Sequence, residues 1–216
     1  MIAFLKKKSS IKIMEFKIKT DFSGFHGNFK KWSDNFIPTK KGHVGIFDPS
    51  VLKYAYAHEY GVIIKPKKAT WLTIPAIKEA KGKKSDSFSD LFFYKKSESL
   101  AFMMKRVNDK NIAYYILKKE IEIPERSFMR KTLNSKDVQT RVYNLAKSLV
   151  KRIINGEYTM DKYIEMLAIG FSMEIKQTIY NGVKPDDSAL TLSLKAQNKP
   201  LMDSRKLVDS ITHIMK

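Results

Sequence analysis

The sequence predicts an α+β fold, an antiparallel sheet with two long amphipathic helices packed on one face. Between residues 62 and 123, short segments rich in β-branched and aromatic residues alternate with connectors that carry turn residues. From residue 135 onward, apolar residues recur at steps of three and four, the period of an amphipathic helix. Helices that follow a run of short strands bury their apolar stripes most simply against one face of the sheet.

Several strands are predicted in the first half of the chain. Apolar and polar residues alternate over 11–20, which indicates a half-buried strand. A short helix is predicted over 51–60, with Ser50 as its cap and Gly61 as the residue that ends it. Short connectors favour antiparallel hairpins for the other strands. These strands are predicted at 43–47, 62–64, 70–74, 91–94, 100–107 and 112–123.

Two long helices are predicted after Pro124, which has no amide donor and therefore closes the last strand. The first begins at Ser135 and ends at Gly156, with an apolar stripe at Val138, Val142, Leu145, Ala146, Leu149, Val150, Ile153 and Ile154. The second is capped by Thr159, and its apolar face contains Tyr163, Ile164, Leu167, Phe171, Ile175 and Ile179. The chain is predicted to finish, after residue 200, as a short helix or strand.

The whole chain, residues 1–216, is predicted to form one α+β domain. Hydrophobic residues make up 43% of the sequence, which is enough to build a packed core. Three segments lie at its margins: a basic N-terminal extension at 1–10, a lysine-rich loop at 77–90 and a C-terminal return segment at 186–216. The longest apolar run, 112–117, has only six residues, so no membrane partner is expected.

The net charge of +19 comes mainly from lysine, since only six of the 41 basic residues are arginine. Lysine close to phosphate releases condensed counterions, so such a surface can contact nucleic acid without reading its sequence. Sequence-specific readers usually place arginine at guanine edges, and arginine is scarce here. The alternative is that the lysines only solvate the surface. Non-specific contact with DNA therefore stays open as a function.

Histidine and cysteine offer little for catalysis or metal binding. His58 and Glu59 begin like a zinc-protease helix, but Val62 stands where the second histidine belongs. No metal is therefore expected, and this pair is predicted to face solvent or a neighbouring subunit. The sequence contains no cysteine, which excludes disulfides and thiolate sites and fits a reducing cytoplasm.

Paired acids are the remaining candidates for chemistry. Glu120 with Glu122, or Asp186 with Asp187, would suit a metal-dependent nuclease in so basic a chain. They are predicted instead to lie on solvated strand and turn surfaces. The sequence has no phosphate-binding loop and no nucleophile elbow. We therefore expect no enzymatic activity and no cofactor.

Three segments, in this order along the chain, resemble one protein family. Residues 56–75 hold Tyr-Ala-His-Glu-Tyr-Gly followed by an extended stretch, residues 121–128 read Ile-Glu-Ile-Pro-Glu-Arg-Ser-Phe, and residues 199–211 begin Lys-Pro-Leu-Met-Asp-Ser. They are similar to the Glu-aromatic-Gly turn, the Ile-Pro-x-Arg-x-Phe junction and the terminal Lys-Pro-Leu-x-Asp stretch of the tail-completion proteins of tailed bacteriophages. This family is also described as virion-morphogenesis or head–tail joining. The resemblance touches residues 50–133 and 186–214.

The resemblance implies a structural virion protein, a neck subunit that forms a homo-oligomeric ring between head connector and tail. Its partners would be copies of itself and other phage connector, portal-adaptor, tail-tube or terminator proteins, with non-specific contact to the DNA that passes through. It would be assembled in the cytoplasm of the host bacterium and reside in the virion. Two alternatives remain: a non-specific DNA-binding or metal-dependent DNA-processing protein, and a peripheral membrane factor that uses helix 137–155.

The resembling segments contain the candidate structural and interface residues. Gly61 lets the chain reverse into a strand, and Pro124 ends the sheet. Arg126 is expected to pair with a carboxylate or a carbonyl at the same corner, and Phe128 to anchor the following helix on the sheet. The other candidates are His58, Glu59, Pro200, Asp203 and Leu207.

Two positions depart from the family pattern. Ser127 stands where the family often has a second proline, and Arg205 where a glycine usually follows the Asp-Ser pair. Both positions lie in turns, so the departures bear on local backbone geometry, above all near residue 205.

Overall fold

A computed structural model describes residues 36–195 and 199–216. The basic extension at 1–10 and the predicted strand at 11–20 lie outside these residues. The helices are α1 (Pro49–Tyr60), α2 (Met129–Asn134), α3 (Lys136–Ile154), α4 (Met160–Tyr180), α5 (Ala189–Leu194) and α6 (Lys206–Ser210). Two 3₁₀ turns lie at Lys78–Ala80 and Ser85–Ser87. None of the helices in the described ranges has an apolar stretch long enough to cross a bilayer.

The described strands are β1 (Gly42–Ile46), β2 (Val62–Ile64), β3 (Leu72–Pro75), β4 (Phe92–Lys95), β5 (Leu100–Val107), β6 (Lys110–Lys118), β7 (Ile121–Ile123) and β8 (Ile211–Met215). They form three antiparallel sheets. β1 pairs with β8, β2 pairs with β7, and the third sheet has the strand order β3-β6-β5-β4. The predicted fold class, α+β with antiparallel sheets and two long helices, is confirmed.

The chain groups into two compact units, each assembled from segments that are distant in sequence. Within the described residues, the first unit contains Tyr56–Arg126 and Lys184–Asp203. The second contains 36–55, Ser127–Val183 and Ser204–Lys216. The four-stranded sheet and the β2–β7 pair therefore belong to the first unit, whereas α3, α4, β1 and β8 belong to the second.

The two long helices form the core of the second unit. α4 packs against α3, β1 and β8, and it buries the face that the sequence predicts. α3 buries Leu149 and Ile153, but Val150 and Ile154 are exposed, so the predicted stripe on α3 is too wide. Successive helical positions are turned by about 100°. The buried arc of α3 is narrower than this angle, so Ile153 is buried while its neighbour Ile154 is exposed, whereas the wider buried face of α4 includes both Tyr163 and Ile164.

Polar side chains cap the helices of this unit. The Ser135 hydroxyl accepts from the Val138 amide at 3.4 Å, and the Thr159 hydroxyl, as predicted, accepts from the Lys162 amide at 3.2 Å. The cap predicted for α1 is wrong, because Oδ1 of Asp48, not Ser50, accepts an amide hydrogen bond there, from Ser50 itself at 2.8 Å. Proline then occupies the first position of α1, where its missing amide costs nothing.

The predicted strand 112–123 is divided into two strands with different partners. β6 ends at Lys118 and pairs with β3 and β5, whereas β7 begins at Ile121 and pairs with β2. Glu120 lies between them, exposed and 3.2 Å from the ammonium of Lys65. Three consecutive charged residues, 118–120, mark this break in the sequence, but they do not show which strand each half pairs with.

A β-bulge shapes the core of the first unit. Met103 pairs with Tyr115, but Met104 pairs with Ala113, so Tyr114 is the extra residue of β6. Consecutive residues of a regular strand point to opposite faces, and a bulge re-aims one of them. Tyr114 and Tyr115 can therefore both be buried in one cluster with Ala80.

The segment at 77–90 packs against these tyrosines. The Tyr115 hydroxyl donates to the Lys83 carbonyl and the Tyr114 hydroxyl donates to Oε2 of Glu79, both at 3.1 Å. Phe88 meets both tyrosine rings edge-on. The four lysines of the segment nevertheless remain exposed; they are Lys78, Lys81, Lys83 and Lys84. The backbone of the segment is thus fixed by the tyrosines, whereas its lysine side chains are exposed to solvent.

Gly61 ends α1 in the left-handed conformation, with φ of 68°, and turns the chain into β2 as predicted. A Cβ atom at this position would lie 3.0 Å from the Glu125 amide nitrogen and 3.2 Å from the Ile123 carbonyl oxygen. Both atoms belong to backbone that has little freedom to move. Gly61 is therefore required for its conformation and for the close approach of the strand after it.

Gly61→Ala is expected to destabilise the protein more than Gly82→Ala. Gly82 also has a positive φ, 78°, but a Cβ there would meet nothing within 4 Å. Each alanine therefore costs about 1 kcal/mol for the left-handed conformation, and only Gly61→Ala adds a clash of roughly 1–3 kcal/mol. Urea denaturation of both variants measures the difference. Equal losses would contradict the close approach.

Candidate functional site

Four charged or titratable side chains of the first unit meet in a largely buried group. We call this group the Arg126 cluster, and its members are His58, Arg126, Asp187 and Lys195. They come from the end of α1, the segment after β7 and the chain around α5. Three candidate residues from the resembling segments lie beside the chain reversals that bring Arg126 to this position. They are His58 in the last turn of α1, Gly61 directly after α1, and Pro124 directly after β7.

The backbone positions Arg126 from two sides. β7 pairs with β2 and ends before Pro124, as predicted for a residue without an amide donor. The amide of Arg126 then donates to the carbonyl of His58 at 2.6 Å. This bond attaches the chain after β7 to the last turn of α1. The backbone that carries the Arg126 side chain is therefore fixed by the pairing of β7 with β2 and by the bond to the last turn of α1.

The guanidinium of Arg126 binds carbonyls and a carboxylate of one segment. Nε donates to the Pro185 carbonyl at 2.8 Å, and Nη2 donates to the Asp186 carbonyl at 3.2 Å. Nη2 also donates to Oδ1 of Asp187 at 3.1 Å. The expected pairing of Arg126 with a carboxylate or a carbonyl is therefore confirmed. Both the carbonyl partners and the carboxylate partner lie about sixty residues further along the chain.

Asp187 balances two buried cations. Its side chain and that of Arg126 are each only 7% exposed. Oδ1 faces Arg126, while Oδ2 accepts a short hydrogen bond from the ammonium of Lys195, which also donates to the Lys199 carbonyl at 3.2 Å. Buried charges are tolerated only when paired and hydrogen-bonded. In the described residues, no buried side-chain nitrogen or oxygen lacks a partner.

His58 completes the cluster as a neutral ring. Burial first, and then the positive charge of Arg126, lower the pKa of His58 from 6.5 to about 4. Nδ1 of the ring lies 3.5 Å from Nη1 of Arg126. A guanidinium only donates, so Nδ1 must be the acceptor and Nε2 carries the ring proton.

The environment of the His58–Glu59 pair differs from the prediction. Glu59 is only 4% exposed, and His58 is half-buried against Arg126. The predicted orientation toward solvent or a neighbouring subunit is therefore wrong. The cause is the chain after β7, which lies along the end of α1 and encloses residues that would be accessible on an isolated helix.

The other candidate residues are not members of the Arg126 cluster. Pro200 is buried, and Asp203 pairs with the Lys81 ammonium at 2.8 Å, both within the first unit. Phe128, at the start of α2, and Leu207, in α6, are buried in the second unit. Burial of Phe128 is what an anchoring role requires. The structure thus brings together the candidates from two of the three resembling segments.

The paired acids occupy three different environments. Glu122 is exposed on β7, and Asp186 is exposed beside Lys184, as predicted for solvated surfaces. Asp187 contradicts that prediction, because it is buried between Arg126 and Lys195. Across 36–195 and 199–216, no three histidine or carboxylate side chains come together in a way that could hold a metal ion.

Sequence reasoning missed Asp187 and Lys195 as members of the site. A signal existed, because a buried arginine must find a carboxylate. Asp187 follows a proline and another aspartate, a composition typical of exposed turns. Only the folded chain shows which of the two aspartates turns inward. The cluster binds three segments of the first unit together, because Arg126 and Lys195 donate to oxygens of Pro185, Asp186, Asp187 and Lys199.

Comparison of the chain with protein-family models, with curated proteins and with solved structures found no significant match.

Arg126→Met is expected to lower the free energy of unfolding by about 3–5 kcal/mol, because it leaves Asp187 buried beside an apolar side chain. Arg106→Met is the matched control. Its Nη2 lies 3.3 Å from the Asp109 carboxylate, close to the 3.1 Å of the buried pair, but those side chains are 72% and 94% exposed. The control should therefore unfold like the unsubstituted protein in urea. Equal effects would show that burial of the Arg126 pair is unimportant.

The stability of the protein is expected to fall as the pH drops from 6.5 toward 4. The unfolded chain protonates His58 near pH 6.5, whereas the folded chain holds its pKa at about 4, so protons favour unfolding in this window. His58→Asn keeps an acceptor beside Arg126 but does not titrate. Urea denaturation across the window should show a loss about 2 kcal/mol smaller for the variant. Parallel curves would exclude His58 as the cause.

Proposed function

We propose that this chain is a structural subunit of a tailed-bacteriophage particle, a neck or tail-completion protein that assembles into a ring joining the head connector to the tail. The main support is that two of the three resembling segments are in contact. A Cβ on Gly61, in the Glu-aromatic-Gly turn, would meet the amide of Glu125 in the Ile-Pro-x-Arg-x-Phe junction. The amide of Arg126 binds the carbonyl of His58. Contact between the two segments is what motifs of one family that share a structural role would require.

The third resembling segment adds support through its backbone. Arg205 stands where the family usually has a glycine, and it adopts φ of 59°, the left-handed conformation that glycine favours. Arg205 therefore adopts a conformation that a glycine at this position would also favour. The Arg205 guanidinium also donates to the Tyr180 hydroxyl at 3.1 Å, an interaction that a glycine lacks.

Exposed lysines fit the passage of DNA through such a ring. The segment at 77–90 carries four exposed lysines on a backbone held by Tyr114 and Tyr115. The same observation favours a second candidate, a protein that binds DNA non-specifically and acts outside the virion. In both cases binding would rest on charge, because lysine near phosphate acts without regard to base sequence.

The purified chain is expected to form a closed ring, alone or on phage head connectors, and to occupy the head–tail junction of assembled particles. Native mass spectrometry gives the subunit number, and negative-stain electron microscopy gives the shape. Antibody labelling of particles locates the protein. Genes for portal, capsid and tail-tube proteins beside its own gene would be a further match.

A strict monomer that is absent from purified particles would sink this proposal. The second candidate function, non-specific DNA binding outside the virion, predicts different results. It requires a gel shift whose affinity falls steeply with salt. A nuclease would also show metal-dependent cleavage that Asp186→Ala or Glu122→Ala abolishes.

A further inference from the structure

Three consecutive aromatic residues on β4 are exposed to solvent. Phe92, Phe93 and Tyr94 are 42%, 51% and 52% exposed, and in the described part of the chain β4 pairs only with β5. Because side chains alternate along a strand, Phe93 lies on one face of the sheet and its two neighbours lie on the other. Both faces of this sheet edge are therefore apolar.

Apart from its short length and Lys95, β4 lacks the usual protection of an edge strand. Native edges are commonly blocked by proline, by bulges or by several charges. β4 contains no proline, its register with β5 is regular from Phe92 to Lys95, and Lys95 is its only charged residue. An aromatic edge of this kind is ready to pair with another strand.

Two of the three aromatic side chains contact other aromatic rings of the same unit. The Phe93 ring lies 6.5 Å from the ring of Trp71, and the Tyr94 ring lies 6.4 Å from that of Phe102. These contacts lower the conformational entropy that the side chains would lose on binding. Their outer halves remain free of contacts that would bury them.

β4 is complementary to itself in antiparallel orientation. If Phe93 lies opposite the partner's Phe93, then Phe92 faces Tyr94 of the partner subunit. Asp90, which also pairs with Lys105 of its own chain at 2.9 Å, then faces the partner's Lys96. Cross-strand aromatic pairs and opposite charges both stabilise a sheet. The Lys96 amide donates to the Leu100 carbonyl, so alternation directs the backbone groups of Phe93 and Lys95 away from β5. Those are the groups that such a partner would bind.

We propose that two copies of this chain associate through their β4 strands, paired in antiparallel register about a two-fold axis at Phe93. Pairing of β4 with β3 of another copy is less favourable. It would also be antiparallel, but it would place Lys95 and Lys96 near Lys68, which precedes β3. The two-fold contact is separate from the head-to-tail contacts of a ring, so it goes beyond the proposed function and does not depend on it.

The size of the contact predicts a weak dimer. An aromatic side chain offers about 150–250 Å², so three half-exposed ones offer roughly 300 Å² per copy. A standard interface buries about 800 Å² per partner. Hydrogen bonds between the two edge strands add to the apolar contact. Dissociation in the micromolar range is therefore expected, and net charge of one sign should make the association stronger at higher salt.

A single engineered cysteine tests the register, because the natural chain contains no cysteine. Phe93→Cys should form a covalent dimer under mild oxidation, since residues opposite each other in an antiparallel pair lie within disulfide distance. Ile63→Cys is the matched control, as Ile63 is an exposed apolar strand residue of the same unit. It should form no more dimer than random collision produces. A mixture of Phe93→Cys and Thr73→Cys tests pairing with β3.

Sedimentation of the cysteine-free protein at micromolar and higher concentrations tests the same contact without altering Phe93. It should show a monomer–dimer equilibrium, and Tyr94→Lys should weaken that association at least about tenfold, because it removes an aromatic pair and adds like charge. The proposal is overturned by a Phe93→Cys yield no greater than the control. It is also overturned by cross-linking to Thr73→Cys alone, or by association unchanged in Tyr94→Lys. A ring without the Phe93 cross-link would sink this inference and spare the proposed function, and a cross-linked dimer that never enters particles would do the reverse.

Discussion

A buried arginine governs how the first unit is put together. Burial of a guanidinium cation requires an anion with matching geometry. Asp187, 61 residues further along the chain, supplies that anion. The carbonyls of Pro185 and Asp186 accept from Nε and Nη2, and Nη1 faces the ring of His58. The segment around α5 therefore has to return to the junction after β7. Lys195 adds a second cation to the same carboxylate.

This requirement explains the environment of the neighbouring residues. His58 stays neutral because burial and the charge of Arg126 both oppose its protonation. Gly61 must be a glycine because the backbone at Glu125 passes too close for a side chain. A buried ion pair of this type often contributes more to uniqueness of structure than to stability. For a subunit of the proposed kind, a single well-defined corner would let identical copies meet in identical ways.

The described lysines differ in how firmly other groups hold their side chains. Lys195 is buried in an ion pair, and Lys81 is held by Asp203 and the Leu194 carbonyl. Most other described lysines extend into solvent, and they make association of like-charged copies depend on short-range contacts. β4 offers such contacts, because its aromatic side chains are exposed on both faces of one sheet edge.

Local features were predictable from sequence. Thr159 caps α4, Gly61 reverses the chain and the apolar face of α4 is buried, because each depends on residues within a few positions of one another. The division between β6 and β7, the pairing of β1 with β8 and the burial of Asp187 were decided by the tertiary structure. An alternating pattern states that a strand has an inner and an outer face, but it does not identify the partner strand. Asp186 and Asp187 have the same chemistry and adjacent positions, so only the location of Arg126 in the folded chain determines which of them is buried.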